Sequence, residues 1–311
     1  MNRPTHAMCL SPEAPASTSA RGGQGLLILA GMILGTIGIF VEEAQQPALV
    51  IVWYRCLFGA LALLLWGLAS GRLSSLRSPV AGLLFALGSG VLMVANWALF
   101  FAAISRTSIA VATVVFHIQP FLVMIFGLWF LHEKISLKQW LATLLALCGL
   151  LLTTGIFSDG LSTGVLSRDY LTGIALCLVA AICYAGVTVM ASVQKYMNSY
   201  ALAWWQCLVG AVLLSWIPLV YGWPTDLSAW PWLIGIGTIH SGLAYVILFA
   251  GMARLSLNQI ALLQFVYPLT AVIVDWAVYE RMLDPLQICG VILMTVALWS
   301  IQINQASTRL K

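Results

Sequence analysis

The octapeptide WYRCLFGA at 53–60 returns as WWQCLVGA at 204–211, identical or nearly so at six of eight positions. Working outward, further matches keep the same order. FFAAISRTS (100–108) pairs with FAGMARLS (249–256), HIQP (117–120) with FVYP (265–268), HEK (132–134) with YER (279–281), and Gln139 with Gln287. The separation holds at 147 to 151 residues, with slips of one or two residues. The chain therefore reads as two copies of one unit, at 25–157 and 170–303. Self-similarity on this scale fixes the architecture before any single residue is interpreted.

The solvent of that architecture follows from composition. Of 311 residues, 61% are hydrophobic and 8% are charged, and the mean hydropathy is +0.99. Soluble domains carry about a quarter charged residues, so this chain lacks the polar surface that water requires. It reads as an all-α integral membrane protein. Apolar runs of about 20 residues, the length that crosses ~30 Å of hydrocarbon as helix, lack the alternation of barrel strands. They fall at 25–41, 47–69, 79–104, 109–131, 137–157, 170–192, 200–221, 230–252, 258–280 and 285–303. That gives ten transmembrane helices, separated by turn or charge signals such as EEAQQP, GRLSSLRSP, HEKIS, GWPTD and ERMLDP.

Five spans per unit is odd, so the second copy must be inverted in the membrane. Charge agrees. With a cytoplasmic N-terminus, the inner loops and tails carry Arg3, Arg21, Arg72, Arg77, Lys134, Lys138, Lys195, Arg254, Arg309 and Lys311. The outer loops carry Arg106, Arg168 and Arg281. Basic residues concentrate on the cytoplasmic side, which puts both termini there, in a bacterial-type cytoplasmic (inner) membrane. Residues 1–24 read as a disordered cytoplasmic tail without the layout of a signal peptide, 158–169 as an external linker and 304–311 as a second cytoplasmic tail. Inverted repeats meeting at the bilayer midplane are the signature of alternating-access carriers, because exchanging the conformations of two related halves exchanges the open side.

Each unit also carries a proline in the middle of its fourth span, a glutamate about thirteen residues on, and a glutamine opening the fifth. These are Pro120, Glu133 and Gln139, then Pro268, Glu280 and Gln287. The pattern, with Arg55 early in the second span, resembles the EamA family of the drug/metabolite transporter superfamily over residues 25–303. Ala142 and Ala297 stand where that family commonly has glycine, and Gln206 stands where the second copy would have arginine. The resemblance implies export of amino acids and related metabolites, aromatic ones included. The wealth of Trp and Tyr favours that branch.

Proline removes one backbone N–H and leaves the carbonyl four residues back, Phe116 or Gln264, without its usual partner. Hydrocarbon cannot satisfy that carbonyl, so Pro120 and Pro268 suggest paired kinks facing a common cavity, although a packing kink is the plainer alternative. His117 and Gln119 lie beside the first kink, Gln264 and Tyr267 beside the second. Asn96, Trp97, Tyr184, His240 and Tyr245 stand at comparable depth. Polar groups there face a cavity or a neighbouring helix, and these nine are the candidate substrate-binding residues. Arg55 could hold a substrate carboxylate or form an ion pair with Glu42 or Glu43; the nearness of two acids favours the pair. Asp275, a carboxylate within a span, could couple protons, balance Arg55 or simply be hydrated.

Other functions find little support. HEKIS (132–136) lacks the second histidine of a zinc helix, and no phosphate loop or nucleophile elbow occurs. The seven cysteines show no metal-ligand or redox spacing, so no metal or cofactor is expected. With a net charge of +4 and no basic patch interleaved with aromatics, nucleic acid is not an expected partner. The expected partners are a small-molecule substrate and lipid. A monomer suffices, since two units close one site, and the alternative to a carrier is a channel or facilitative pore.

Overall fold

The computed structural model describes residues 16–107, 109–154, 167–280 and 283–308. Arg3, Cys9, Arg281, Arg309, Lys311 and most of the linker at 158–169 lie outside them. All regular structure among the described residues is helical. Ten helical stretches follow in order: α1 (Ala16–Gly35, resuming as Ile37–Ala44), α2 (Ala48–Ala69), α3 (Val80–Ile104), α4 (Ile109–Phe116, then Gln119–Phe130) and α5 (Leu137–Thr153). The second set is α6 (Arg168–Val193), α7 (Ser199–Leu213, then Ile217–Tyr221), α8 (Ala229–Met252), α9 (Leu257–Leu263, then Val266–Tyr279) and α10 (Pro285–Thr308).

Among the described residues, seven of these are long and apolar enough to cross a membrane, while α5, α7 and α10 offer shorter apolar stretches there, Leu137–Thr153, Ser199–Leu213 and Pro285–Ser300. The helix expected from residue 25 already runs from Ala16. Local chemistry explains several ends. Ser136 and Gln139 cap each other reciprocally at the start of α5, and Asp284 with Gln287 do the same before α10. This gives the two fifth-span glutamines a job in helix initiation. His132 and Glu280, each twelve positions after its proline, take left-handed φ values of 52° and 53° and turn the chain out of α4 and α9.

Polarity is inside out. Large apolar side chains face outward, among them Val80 (73% exposed), Phe130 (68%) and Leu219 (85%). Arg55, Ser89, Asn96, His117, Gln119, Thr188, Gln206, His240 and Ser241 are buried. That arrangement suits a hydrocarbon solvent and would leave a large apolar surface exposed in water.

The helices pair in a regular way: α1 with α8 and α9, α6 with α3 and α4, α2 with α8, α7 with α3, and α2–α7, α4–α9 and α5–α10 among themselves. Exchanging each helix for the one five places along reproduces the same set. Side chains repeat the exchange. A Cβ at Gly59 would meet Cys207 Sγ, and one at Gly210 would meet Cys56 Sγ. Small residues allow the tightest crossings: Gly149 and Gly290 bring α5 and α10 into backbone contact, while Gly31 and Gly35 seat α1 against Val266 and Thr270 of α9.

Candidate functional site

Helices α4 and α9 break at His117–Ile118 and Gln264–Phe265, just before the prolines, and the two breaks meet. Pro120 and Pro268 each sit near the start of the resumed helix, where their missing N–H costs least. Across the junction Gln119 Nε2 donates to Gln264 Oε1 at 2.5 Å, and Gln264 Nε2 donates to Thr188 Oγ1 of α6 at 3.2 Å. A chain of amides thus ties both broken helices to α6.

His117 is buried beside this chain, with Nδ1 2.7 Å from the Thr113 carbonyl. A carbonyl only accepts, so Nδ1 carries a proton, and in the neutral ring Nε2 is then the acceptor. Its ring lies parallel to Tyr267 at 6.4 Å and tilts against Phe265 at 5.7 Å. Tyr184 of α6 meets Phe116 at 5.7 Å and lies within electrostatic reach of Arg55, Tyr245 and Tyr267.

Arg55 holds the centre of the adjoining group from α2, α3 and α8. Its Nε donates to Ser241 Oγ at 3.0 Å and its Nη2 to the Tyr245 hydroxyl at 3.3 Å. The guanidinium carbon stands 4.2 Å over the Trp97 ring and 5.8 Å from that of Tyr245, and the two rings are nearly parallel. The expected ion pair with Glu42 or Glu43 is therefore not what holds Arg55: both acids are exposed at the end of α1, and among the described residues no carboxylate touches the guanidinium. Asp275 is half-buried farther along α9.

The Arg55 group rests on an irregular stretch of α8. Residues Ile236–Leu243 are π-helical, a widening that often marks functional segments. It places Ser241 toward Arg55 and turns fully buried His240 toward α1. Thr36 spends its hydroxyl proton on the Ile33 carbonyl, so His240 Nε2 donates to Thr36 Oγ1 at 3.0 Å, leaving Nδ1 buried without a partner.

The structure thus brings together Arg55, Trp97 and Tyr245, and beside them His117, Gln119, Tyr184, Gln264 and Tyr267. It directs two other candidates elsewhere. Asn96 Nδ2 donates to the Ala180 carbonyl at 3.0 Å, a link between α3 and α6, and His240 serves the α1–α8 contact. Thr188, Ser241, Thr36 and Met93, whose Sδ lies 3.9 Å from the Tyr245 hydroxyl, complete the network. Apart from the polar note of Ser241, nothing in their local sequence distinguishes them. A groove of about 570 Å³ between α5 and α10, lined by Leu141, Leu144, Cys148 and Val296, holds none of these residues and faces outward.

The profile of the EamA-like transporter family matches residues 21–155 and again 171–302. An uncharacterized transporter of Bacillus subtilis, YxxF, is 28% identical over 86% of this chain and 85% of its own length. The pseudopaline exporter CntI of Pseudomonas aeruginosa is 26% identical over 89% of this chain and 94% of its own. A protein of known crystal structure shares the fold with a TM-score of 0.80 at 18% identity, covering 95% of this chain and 99% of that one.

Proposed function

The chain belongs to the EamA-like transporter family, and from that premise we propose a secondary transporter exporting small metabolites, namely amino acids, aromatic and other neutral ones, by alternating access. The observation that carries the reading is the Gln119–Gln264 bond between two helices broken at corresponding points. Irregular backbone at membrane depth is tolerated where it lines a protein-enclosed cavity, and carriers place their sites there. A relative named as a pseudopaline exporter supports the direction of transport.

The ten-span inverted repeat belongs to the same proposal. Helix α5, with 17 residues, extends about 25 Å, so it and α7, whose first segment has 15 residues, fit a core of ~30 Å with slight local thinning, while α10, with 24 residues, is long enough to cross it. Two family matches, five helical stretches in each and the exchangeable helix pairings support inversion. Arg55 bonding Ser241 has its mirror in Gln206, whose Nε2 donates to Ser89 Oγ at 3.1 Å. Both termini lie in the cytoplasm of a bacterial-type inner membrane, and the monomer contains the whole site.

Reconstitution into liposomes tests the reading. Labelled amino acids should show saturable uptake and counterflow, measured at two pH values to detect proton coupling. Linear, non-saturating flux would replace the carrier by a pore, and no flux with any solute from well-folded protein would end the proposal.

A further inference from the structure

We infer that Arg55 is the receptor for a carboxylate on the transported solute, with Trp97 and Tyr245 flanking the solute's apolar or aromatic body. This deepens the transporter reading and rests on it.

A guanidinium has five N–H donors arranged as two forks. The side-on fork, Nε and one hydrogen of Nη2, is taken by the hydroxyls of Ser241 and Tyr245. The end-on fork, Nη1 with the second hydrogen of Nη2, has no partner among the described residues. That fork is the one that receives a carboxylate through two parallel bonds. Trp97 covers one face and fixes the plane in which those bonds would point.

The charge itself is the second argument. Arg55 is only 6% exposed, within a membrane-spanning helix. Neutral hydroxyls and aromatic faces lower the cost of that position but do not cancel the charge, and a buried ion without an opposite partner is unfavourable. The Ser241 bond does not require an ion: at the corresponding place, neutral Gln206 makes the same kind of bond to Ser89. The surplus charge of Arg55 is thus explained by a ligand of opposite sign. One guanidinium without a second cation against it fits a single carboxylate group. The acceptor Nε2 of His117 and the nearby amides suit the solute's donors, such as an ammonium.

The test measures inhibition of counterflow in proteoliposomes by matched pairs: phenylalanine against phenylalaninamide, and 3-phenylpropionate against 3-phenylpropionamide. Each acid should compete about tenfold or more better than its amide, as expected for charge-assisted hydrogen bonds. Arg55→Gln should abolish that preference and Arg55→Lys should retain part of it. The acid-to-amide comparison in the unmodified protein stands even if a variant fails to fold. Equal competition by acid and amide, or an acid preference that survives Arg55→Gln, overturns the carboxylate site while leaving the transporter intact. Absence of counterflow with every solute overturns both.

Discussion

Asn96 and Gln119 are both buried amides at membrane depth, yet they are spent differently. Asn96 donates to the Ala180 carbonyl and joins two helices that stay packed along their length, whereas Gln119 spans the junction of two broken ones. Asn96→Leu should lower stability by about 1 kcal/mol, the usual scale of an interhelical hydrogen bond in a membrane. Thermal unfolding in detergent would show that loss, with KM in counterflow unchanged; a changed KM would return Asn96 to the site. His117→Ala removes the ring stacked on Tyr267 and should impair transport about tenfold while the protein stays folded. Normal kinetics would remove His117 from the site. Depth was legible from sequence for both residues, but the direction each side chain takes was not. Arg55 shows why: its partners Ser241 and Tyr245 lie 186 and 190 positions away. The close fit of Gly59 against Gly237 and Ser241 sets the α2–α8 register that brings them together. Two acids near in sequence pointed to an ion pair that the helix geometry does not make.

Helices were easier to read than contacts, because hydrocarbon length and turn chemistry are local. Apart from the early start of α1, the helical stretches fall close to their expected positions, and the breaks in α4 and α9 precede the two prolines as a missing N–H requires. The π-helical part of α8 had no such signal. It contains no proline, and its wider turn accommodates the close approach of Gly237 to Phe58 and Gly59, a tertiary demand. The glutamines opening the fifth spans carry a different lesson. Gln139 accepts from Ser136 N at 2.7 Å, and Gln287 from Asp284 N at 3.0 Å, so their pairing across the repeat reflects helix capping rather than substrate. Gln139→Ala should cost about 1 kcal/mol of stability and leave the order of preferred solutes unchanged. Competition assays across the solute panel would detect any re-ordering, which would argue for a role beyond the cap.

For the molecule as a whole, the proposed alternating access requires that α4 and α9 separate at one end while closing at the other. The end of α4 meets the start of α9 on the side of Lys134 and Lys138, the side that the proposed orientation puts in the cytoplasm. There the Glu133 carboxylate accepts from the Leu257 amide at 3.0 Å, and a Cβ on Gly127 would lie 3.2 Å from Leu257 Cβ. That separation is a few tenths of an ångström below the usual span of a disulfide, about 3.5–4.5 Å, so a small adjustment would bridge it. In a background with the seven native cysteines replaced by alanine, Gly127→Cys with Leu257→Cys should therefore crosslink under mild oxidation. The bond would hold the cytoplasmic end shut, because neither helix could leave the other without breaking it. Counterflow should fall to the level of protein-free liposomes when the pair is oxidised and recover on reduction, while each single cysteine remains active in both conditions. Binding from the opposite face should survive the crosslink, since the site between the halves is left intact. If the fully crosslinked protein exchanged solute at the reduced rate, α4 and α9 would not part during transport, and the solute would have to pass by another route.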